Sequence, residues 1–235
     1  LGALALNRAL SGRFHALQLT AFALAFPTTA IAGFVNYQIS LGLALAAAAI
    51  AAPRLRNLAL HAVFAGALLF VHPFGALLYA AAVAATLIGP EFAGVFALRR
   101  YALPLAGLVA AVAAPVAATA LLLKAGGRPP VPFWGDAANI VDPVHILTIW
   151  LSPFLSYDLA IDLAAAGAVA ALVGFAVACG LARVHAGLTL AAAALFALAP
   201  LAPDAIGDGS WLPQRLPIMA ALLFVAGLRP GEAGR

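Results

Sequence analysis

The sequence predicts an all-α protein: a polytopic transmembrane helix bundle of about eight spans, with a short interfacial helix in one long outer loop. Three observations carry this. The 235 residues are 66% hydrophobic and only 9% charged, with a mean hydropathy of +1.09. Average globular chains are about half apolar and about a quarter charged, so lipid is the solvent this composition expects. The apolar residues also fall into eight segments, at 16–34, 38–52, 57–71, 74–89, 101–123, 160–181, 187–203 and 214–228. Finally, the few charges lie between these segments or in their first turns and are sorted by sign.

Segment 16–34 is long enough to cross about 30 Å of hydrocarbon, which takes about 20 helical residues. Residues 1–15 hold no apolar core leading to a small-residue cleavage site, so no signal peptide is read there. The chain starts at Leu1 and Met219 is its one methionine, so it is expected to lack its native N-terminal part. Segments 38–52, 57–71 and 74–89 are short, which a bilayer tolerates by thinning or by snorkelling flanks. Merging 57–89 would give a helix of roughly 50 Å, too long for one crossing. His72-Pro73-Phe74-Gly75 reads instead as a turn into a new helix with Pro in its first turn.

Segment 101–123 leads to the longest gap, 124–159. It opens with Gly126-Gly127-Arg128-Pro129-Pro130, which cannot be helical. Asp142-Pro143 reads as an N-cap followed by Pro at the first helical position. The apolar stretch 144–151 then reads as a short helix in the interface, ended by Ser152-Pro153. Segments 160–181, 187–203 and 214–228 complete a single domain over 1–235. Alanine-rich runs at 43–52 and 164–171 favour close helix packing in lipid.

With both termini cytoplasmic, the inner gaps hold Arg8, Arg13, Arg54, Arg56, Arg99, Arg100, Arg183, Arg229 and Arg235. The outer gaps hold Lys124, Arg128 and Arg215. That is the positive-inside distribution, and merging 57–89 would destroy it. Six of the eight acids fall outside, leaving Glu91 and Glu232 inside, and Trp134, Trp150 and Trp211 all fall outside. The net charge of +4 does not point to nucleic acid, because no basic stripe or nucleic-acid motif accompanies the arginines. Cys179, the single cysteine, excludes an intramolecular disulfide and a cysteine-based metal site. It reads as a small packing residue.

The polar groups able to do chemistry gather on the outer side. Asp158 and Asp162 are four apart and share a face at the start of the 160–181 helix. An acid about one turn inside a span is a functional candidate by its cost. The plainer reading is that Asp158 caps the helix and Asp162 favours its positive end. Arg215 opens the last helix, where it opposes both positive-inside and the helix dipole. It could hold a phosphate or pyrophosphate through its guanidinium, or close its loop by pairing with Asp204 or Asp208. His72 could serve as an acid, base or donor, or simply tie down a junction. Asn36 and Tyr37 occupy the first outer turn. Asp136, Asp142 and His145 could take a divalent cation, although their spacing matches no metal motif. His61 lies too far from His72 along the chain axis to share a metal. No lipase elbow, zincin motif, P-loop or dinucleotide fingerprint is present.

Several patches together resemble a known class. These are Gly33-Phe34-Val35-Asn36-Tyr37 followed by Leu41-Gly42-Leu43-Ala44, then His72-Pro73-Phe74-Gly75. The third is Gly207-Asp208-Gly209-Ser210-Trp211-Leu212-Pro213-Gln214-Arg215-Leu216-Pro217. The order is similar to that in bacterial polytopic membrane glycosyltransferases of the GT-C class, which use lipid-linked sugars. The resemblance implies a transferase of the bacterial cytoplasmic membrane acting at the outer face on a polyprenyl-phosphate-linked sugar. Its expected substrate-binding residues are Arg215, Asp208, Asp162, Asp158, His72, Asn36, Tyr37, Trp134 and His145. In that class a catalytic acid sits in the first outer loop; here that turn holds Asn36 and Tyr37, so no catalytic residue is carried over. The cofactor is left open, membrane lipid is the expected partner, and nucleic acid is not expected. A transporter is the alternative, with only Pro27-Thr28-Thr29, Pro115 and Thr119 as polar features in mid-span. A non-enzymatic subunit of a larger membrane complex is the other.

Overall fold

A computed structural model describes residues 1–13, 15–24, 27–90, 101–125, 142–156, 158–203, 205–206 and 209–231. The architecture is all-α. The chain runs through α1 (Gly2–Ser11), a 3₁₀ run (Ala16–Leu24), α2 (Thr28–Ile31), α3 (Val35–Ala51), α4 (Leu58–Val71) and α5 (Pro73–Ile88). It continues through α6 (Ala102–Ala125), α7 (Pro143–Leu151), α8 (Leu159–Ala178), α9 (Ala186–Leu198) and α10 (Leu212–Ala226). Three helices are long and apolar enough to cross a membrane, within Val35–Arg54, Ala102–Leu122 and Leu159–Ala178. The helices α4 and α9, of 14 and 13 residues, reach only about 20 Å.

Local chemistry explains most boundaries. His72 is extended and Pro73 opens α5, because the residue before a proline is driven out of the helical region. The Asp142 carboxylate accepts from the Val144 N–H at 2.9 Å with Pro143 at the first helical position. Asp158 accepts from Ala160 N–H and Ile161 N–H at 2.9 and 3.3 Å and so starts α8. Each carboxylate satisfies main-chain donors that have no partner inside the helix.

The core joins α1, α3, α4, α5, α6, α9 and α10 through Leu6, Tyr37, Leu41, Leu45, Leu68, Leu78, Tyr79, Leu108, Leu188, Ile218 and Leu223. Small residues let backbones approach: a Cβ on Gly75 would stand 2.9 Å from the Ser40 Cβ, so α5 crosses α3 in close contact there. The helix starts of α3, α5 and α10 meet at one end, through Tyr37, His72 and Arg215. At the opposite end, Ala186 and Gly187 of α9 donate to the carbonyls of Pro90 and Gly89 after α5. There too His185 N–H donates to the Gly227 carbonyl after α10. That second end also carries β1 (Ala182–Val184) and β4 (Leu228–Pro230), paired antiparallel with Arg183 opposite Arg229. Arg54 lies there too, just past α3. A second small ribbon, β2 (Ala205–Ile206) with β3 (Gly209–Ser210), precedes α10.

Three features differ from the sequence expectation. Residues 16–34 do not form one α-helix; they run as a 3₁₀ segment and then the single turn of α2. Pro27 lies between them, and its missing N–H and ring oppose continuous helix. Residues 1–15 contribute α1 to the core, with Leu6 fully buried and Gly2 against the Gly42 carbonyl. The Asn7 side chain joins α1 to the far end of α10 by donating to the Ala226 and Leu228 carbonyls. Cys179 is the exposed C-cap of α8, not a packing residue.

Candidate functional site

Arg215 lies in the first turn of α10 and is 3% exposed. Its guanidinium carbon stands 4.8, 5.2 and 5.3 Å from the ring centroids of Phe34, Tyr37 and Phe74. Aromatic faces attract a cation at such distances. Tyr37 comes from the first turn of α3, Phe74 from the first turn of α5, and Phe34 is the N-cap of α3. The edge of the cage continues to Trp211, whose ring meets Phe34 at 5.6 Å. Trp211 is the one non-glycine residue with positive φ among the described residues, at 64°. A bulky residue in that region is an outlier; it makes the corner from which α10 starts.

The polar contacts of the cage are few. Arg215 Nη1 lies 3.2 Å from His72 Nε2, and the Tyr37 hydroxyl donates to the Arg215 carbonyl at 2.8 Å. Arg215 Nε is buried with no hydrogen-bond partner among the described residues, and no described carboxylate faces the guanidinium. A buried donor left unmatched costs about 1–3 kcal/mol, more for a charged group. The start of α10 also lacks a side-chain cap. The starts of α5 and α10 and the guanidinium thus lie close together, and each of these groups favours negative charge nearby. Burial first and Arg215 second hold the His72 imidazole below its ordinary pKa, so it is neutral at neutral pH.

Among the described residues, the other expected site residues are exposed or engaged in local contacts away from the guanidinium. Asn36 is exposed in the first turn of α3. Asp162 is 1% exposed and both its oxygens are engaged: Ser156 N–H donates at 2.9 Å and Ser156 Oγ at 2.7 Å. With Asp158 capping α8, the two acids order the α7–α8 connection. His145 is half-buried in the first turn of α7, with Nε2 unpartnered among the described residues. The link from the α7 region to the cage end is Ser152, whose Oγ donates to the Gln214 carbonyl at 2.7 Å. Trp134, Asp136, Asp204 and Asp208 lie outside the described residues. His61 is fully buried and holds Tyr79 Oη at 2.7 Å and the Leu55 carbonyl at 3.1 Å, a structural role.

An apolar groove of about 490 Å³ runs between α7, α8, α9 and α10, lined by Trp150, Phe154, Phe196 and Phe224 among others. It continues along α8 past Ala170 toward Val184. On α10 it takes Pro217, Ala220, Ala221 and Phe224, spaced to share one face. Arg215 is about 200° round the helix from Pro217, so the cage and the groove lie on opposite sides of α10.

Sequence reasoning did not single out Phe34 and Phe74 as site residues, and read Trp211 only as an outer-face anchor or pocket wall. The available signal was their place in the same short patches as Tyr37, His72 and Arg215. Comparison with family models, characterised proteins and solved structures finds no match to this chain.

Proposed function

We propose that this is an integral membrane protein that binds a lipid-linked phosphate at Arg215, as a GT-C-like glycosyltransferase binds a polyprenyl-phosphate-linked sugar. One observation carries the reading: a buried arginine in an aromatic cage whose Nε has no partner among the described residues. A structural arginine is normally satisfied by a carboxylate or carbonyls. A cation kept dry and incompletely paired is an anion receptor, and a guanidinium matches phosphate geometry.

In this reading the chain makes eight crossings of the bacterial cytoplasmic membrane, and the cage opens at the outer face. The 3₁₀ segment with α2 forms the first crossing. Its support is that His15 Nε2 bonds the Leu228 carbonyl beyond one end of α10. At the other end Gln38 Nε2 donates to Thr29 Oγ1, near the start of α3. The described residues 15–24 and 27–29 thus extend along α10, with Gln18, Leu24 and Thr29 buried against protein, and non-α backbone is tolerated at membrane depth where it is packed on protein. The arginine-rich end then faces the cytoplasm, as positive-inside requires.

The test is equilibrium binding of a polyprenyl monophosphate to the protein in nanodiscs, with inorganic phosphate as competitor. Binding that weakens more than about tenfold in Arg215→Gln, with unchanged folding, supports the reading. Competition by inorganic phosphate only at far higher concentration assigns the lipid-linked source. Equal binding by wild type and Arg215→Gln sinks it.

A further inference from the structure

We infer that His72 is a second ligand to the anion, donating from Nε2. This rests on the reading of Arg215 as the phosphate receptor.

Two hydrogen-bond donors converge on this one imidazole. The Phe74 N–H points at Nδ1 at 3.3 Å, capping α5, and Arg215 Nη1 stands 3.2 Å from Nε2. A neutral imidazole offers one lone pair and one N–H, so it can accept from only one of them. If Nδ1 accepts, Nε2 carries the proton and confronts a guanidinium N–H. If Nε2 accepts, Nδ1 carries the proton and confronts the Phe74 N–H. Protonating the ring worsens both contacts and adds a second cation beside Arg215. Arg215 from α10 and Tyr37 from α3 are the titratable groups that face the ring among the described residues, and neither is an acid that would relieve it.

An anion resolves the conflict. With a phosphate oxygen between them, Arg215 Nη1 and His72 Nε2–H both donate to the oxygen. Nδ1 is then free to accept from Phe74 and cap α5. Arg215 Nε, buried and unpartnered among the described residues, gains a partner from the same group. Among the described residues the donors of the cage thus conflict without an anion and are matched with one, and His72 couples the ligand to the start of α5.

Two substitutions separate the two ring nitrogens. His72→Asn places an acceptor near Nδ1 and suits an N-cap, but leaves nothing near Nε2. His72→Gln reaches the Nε2 position with an amide N–H and loses the cap. Polyprenyl monophosphate affinity, measured in nanodiscs, is expected to fall at least about tenfold in His72→Asn, the scale of one hydrogen bond to a charged group. Its thermal midpoint in the absence of ligand is expected to stay at or above that of wild type. His72→Gln is expected to retain affinity within about threefold while unfolding at lower temperature. If His72→Asn binds as wild type does, or both variants lose affinity equally, the inference is overturned while Arg215 stands. If wild type does not bind the lipid phosphate, both are overturned.

Discussion

The Tyr37 hydroxyl donates to the main-chain carbonyl of Arg215 at 2.8 Å, across 178 residues of sequence. That bond holds the first turn of α3 against the first turn of α10. It fixes where the guanidinium stands without using any of its donors. The Tyr37 ring also forms part of the cage wall at 5.2 Å, so one side chain both positions the cation and screens it.

Removing only the hydroxyl separates these roles. Tyr37→Phe keeps the wall and loses the bond, so stability is expected to fall by about 1 kcal/mol. Tyr37→Ala empties a fully buried site and is expected to cost about 3–5 kcal/mol. Chemical or thermal unfolding in detergent measures both. Equal losses would show that the hydroxyl, not the ring, anchors α10.

Asp162 gives a prediction of the opposite kind, a buried acid whose work is structural. Both carboxylate oxygens are engaged by Ser156, and charge-assisted bonds are stronger than neutral ones. Asp162→Asn turns one acceptor into a donor that faces Ser156. A loss of about 1–3 kcal/mol is expected, read from the unfolding midpoint. An unchanged midpoint would return Asp162 to the list of groups kept for function.

How much of this was legible follows from the range of each interaction. The caps at Asp142 and Asp158 and the break at His72-Pro73 are decided within about four residues, and each stands where the sequence puts it. Charge sorting is equally local: Arg54, Arg183 and Arg229 gather at one end of the molecule and Asp158 and Asp162 near the other. The partner of Arg215 was not legible. His72 is 143 residues away; the ion pair with Asp204 or Asp208 that the sequence offers falls on residues outside those described. The 3₁₀ run was hidden for a different reason. Ala16–Leu24 contains no glycine or proline, so apolar composition alone suggests an α-helix, while the 3₁₀ run observed there lies against α10.

His185 predicts how stability responds to acid. It is buried at the N-cap of α9, where Nδ1 accepts from the Leu188 N–H at 3.3 Å. Burial first, and the charge of Arg229 second, lower its pKa to about 4, against an ordinary value near 6.5. A lowered folded-state pKa means that the unfolded chain takes up the proton first as pH falls. The contribution is therefore complete above about 6.5 and is lost progressively from there toward about 4. His185→Asn keeps a cap and removes the titration, so its midpoint is expected to decline less than that of wild type over this window. His15 and His72, also held below their ordinary values, retain the rest of the acid sensitivity. Parallel curves for wild type and His185→Asn would refute the assignment.

Cys179 offers a direct test of orientation. It is the single cysteine and is exposed at the C-cap of α8, the end of that helix where β1 follows. Asp158 is exposed at the other end of the same helix, across its 20 residues, or about 30 Å along its axis. If α8 crosses the membrane with the arginine-rich end inside, a membrane-impermeant maleimide added to intact cells leaves Cys179 unlabelled and reaches it only after permeabilisation. Asp158→Cys in a Cys179→Ala background is expected to label from outside in intact cells. Reversed labelling would invert the topology and put the Arg215 cage on the cytoplasmic side. Labelling of both positions from outside would mean that α8 does not cross at all, and the outer-face reading of the cage would lose its basis.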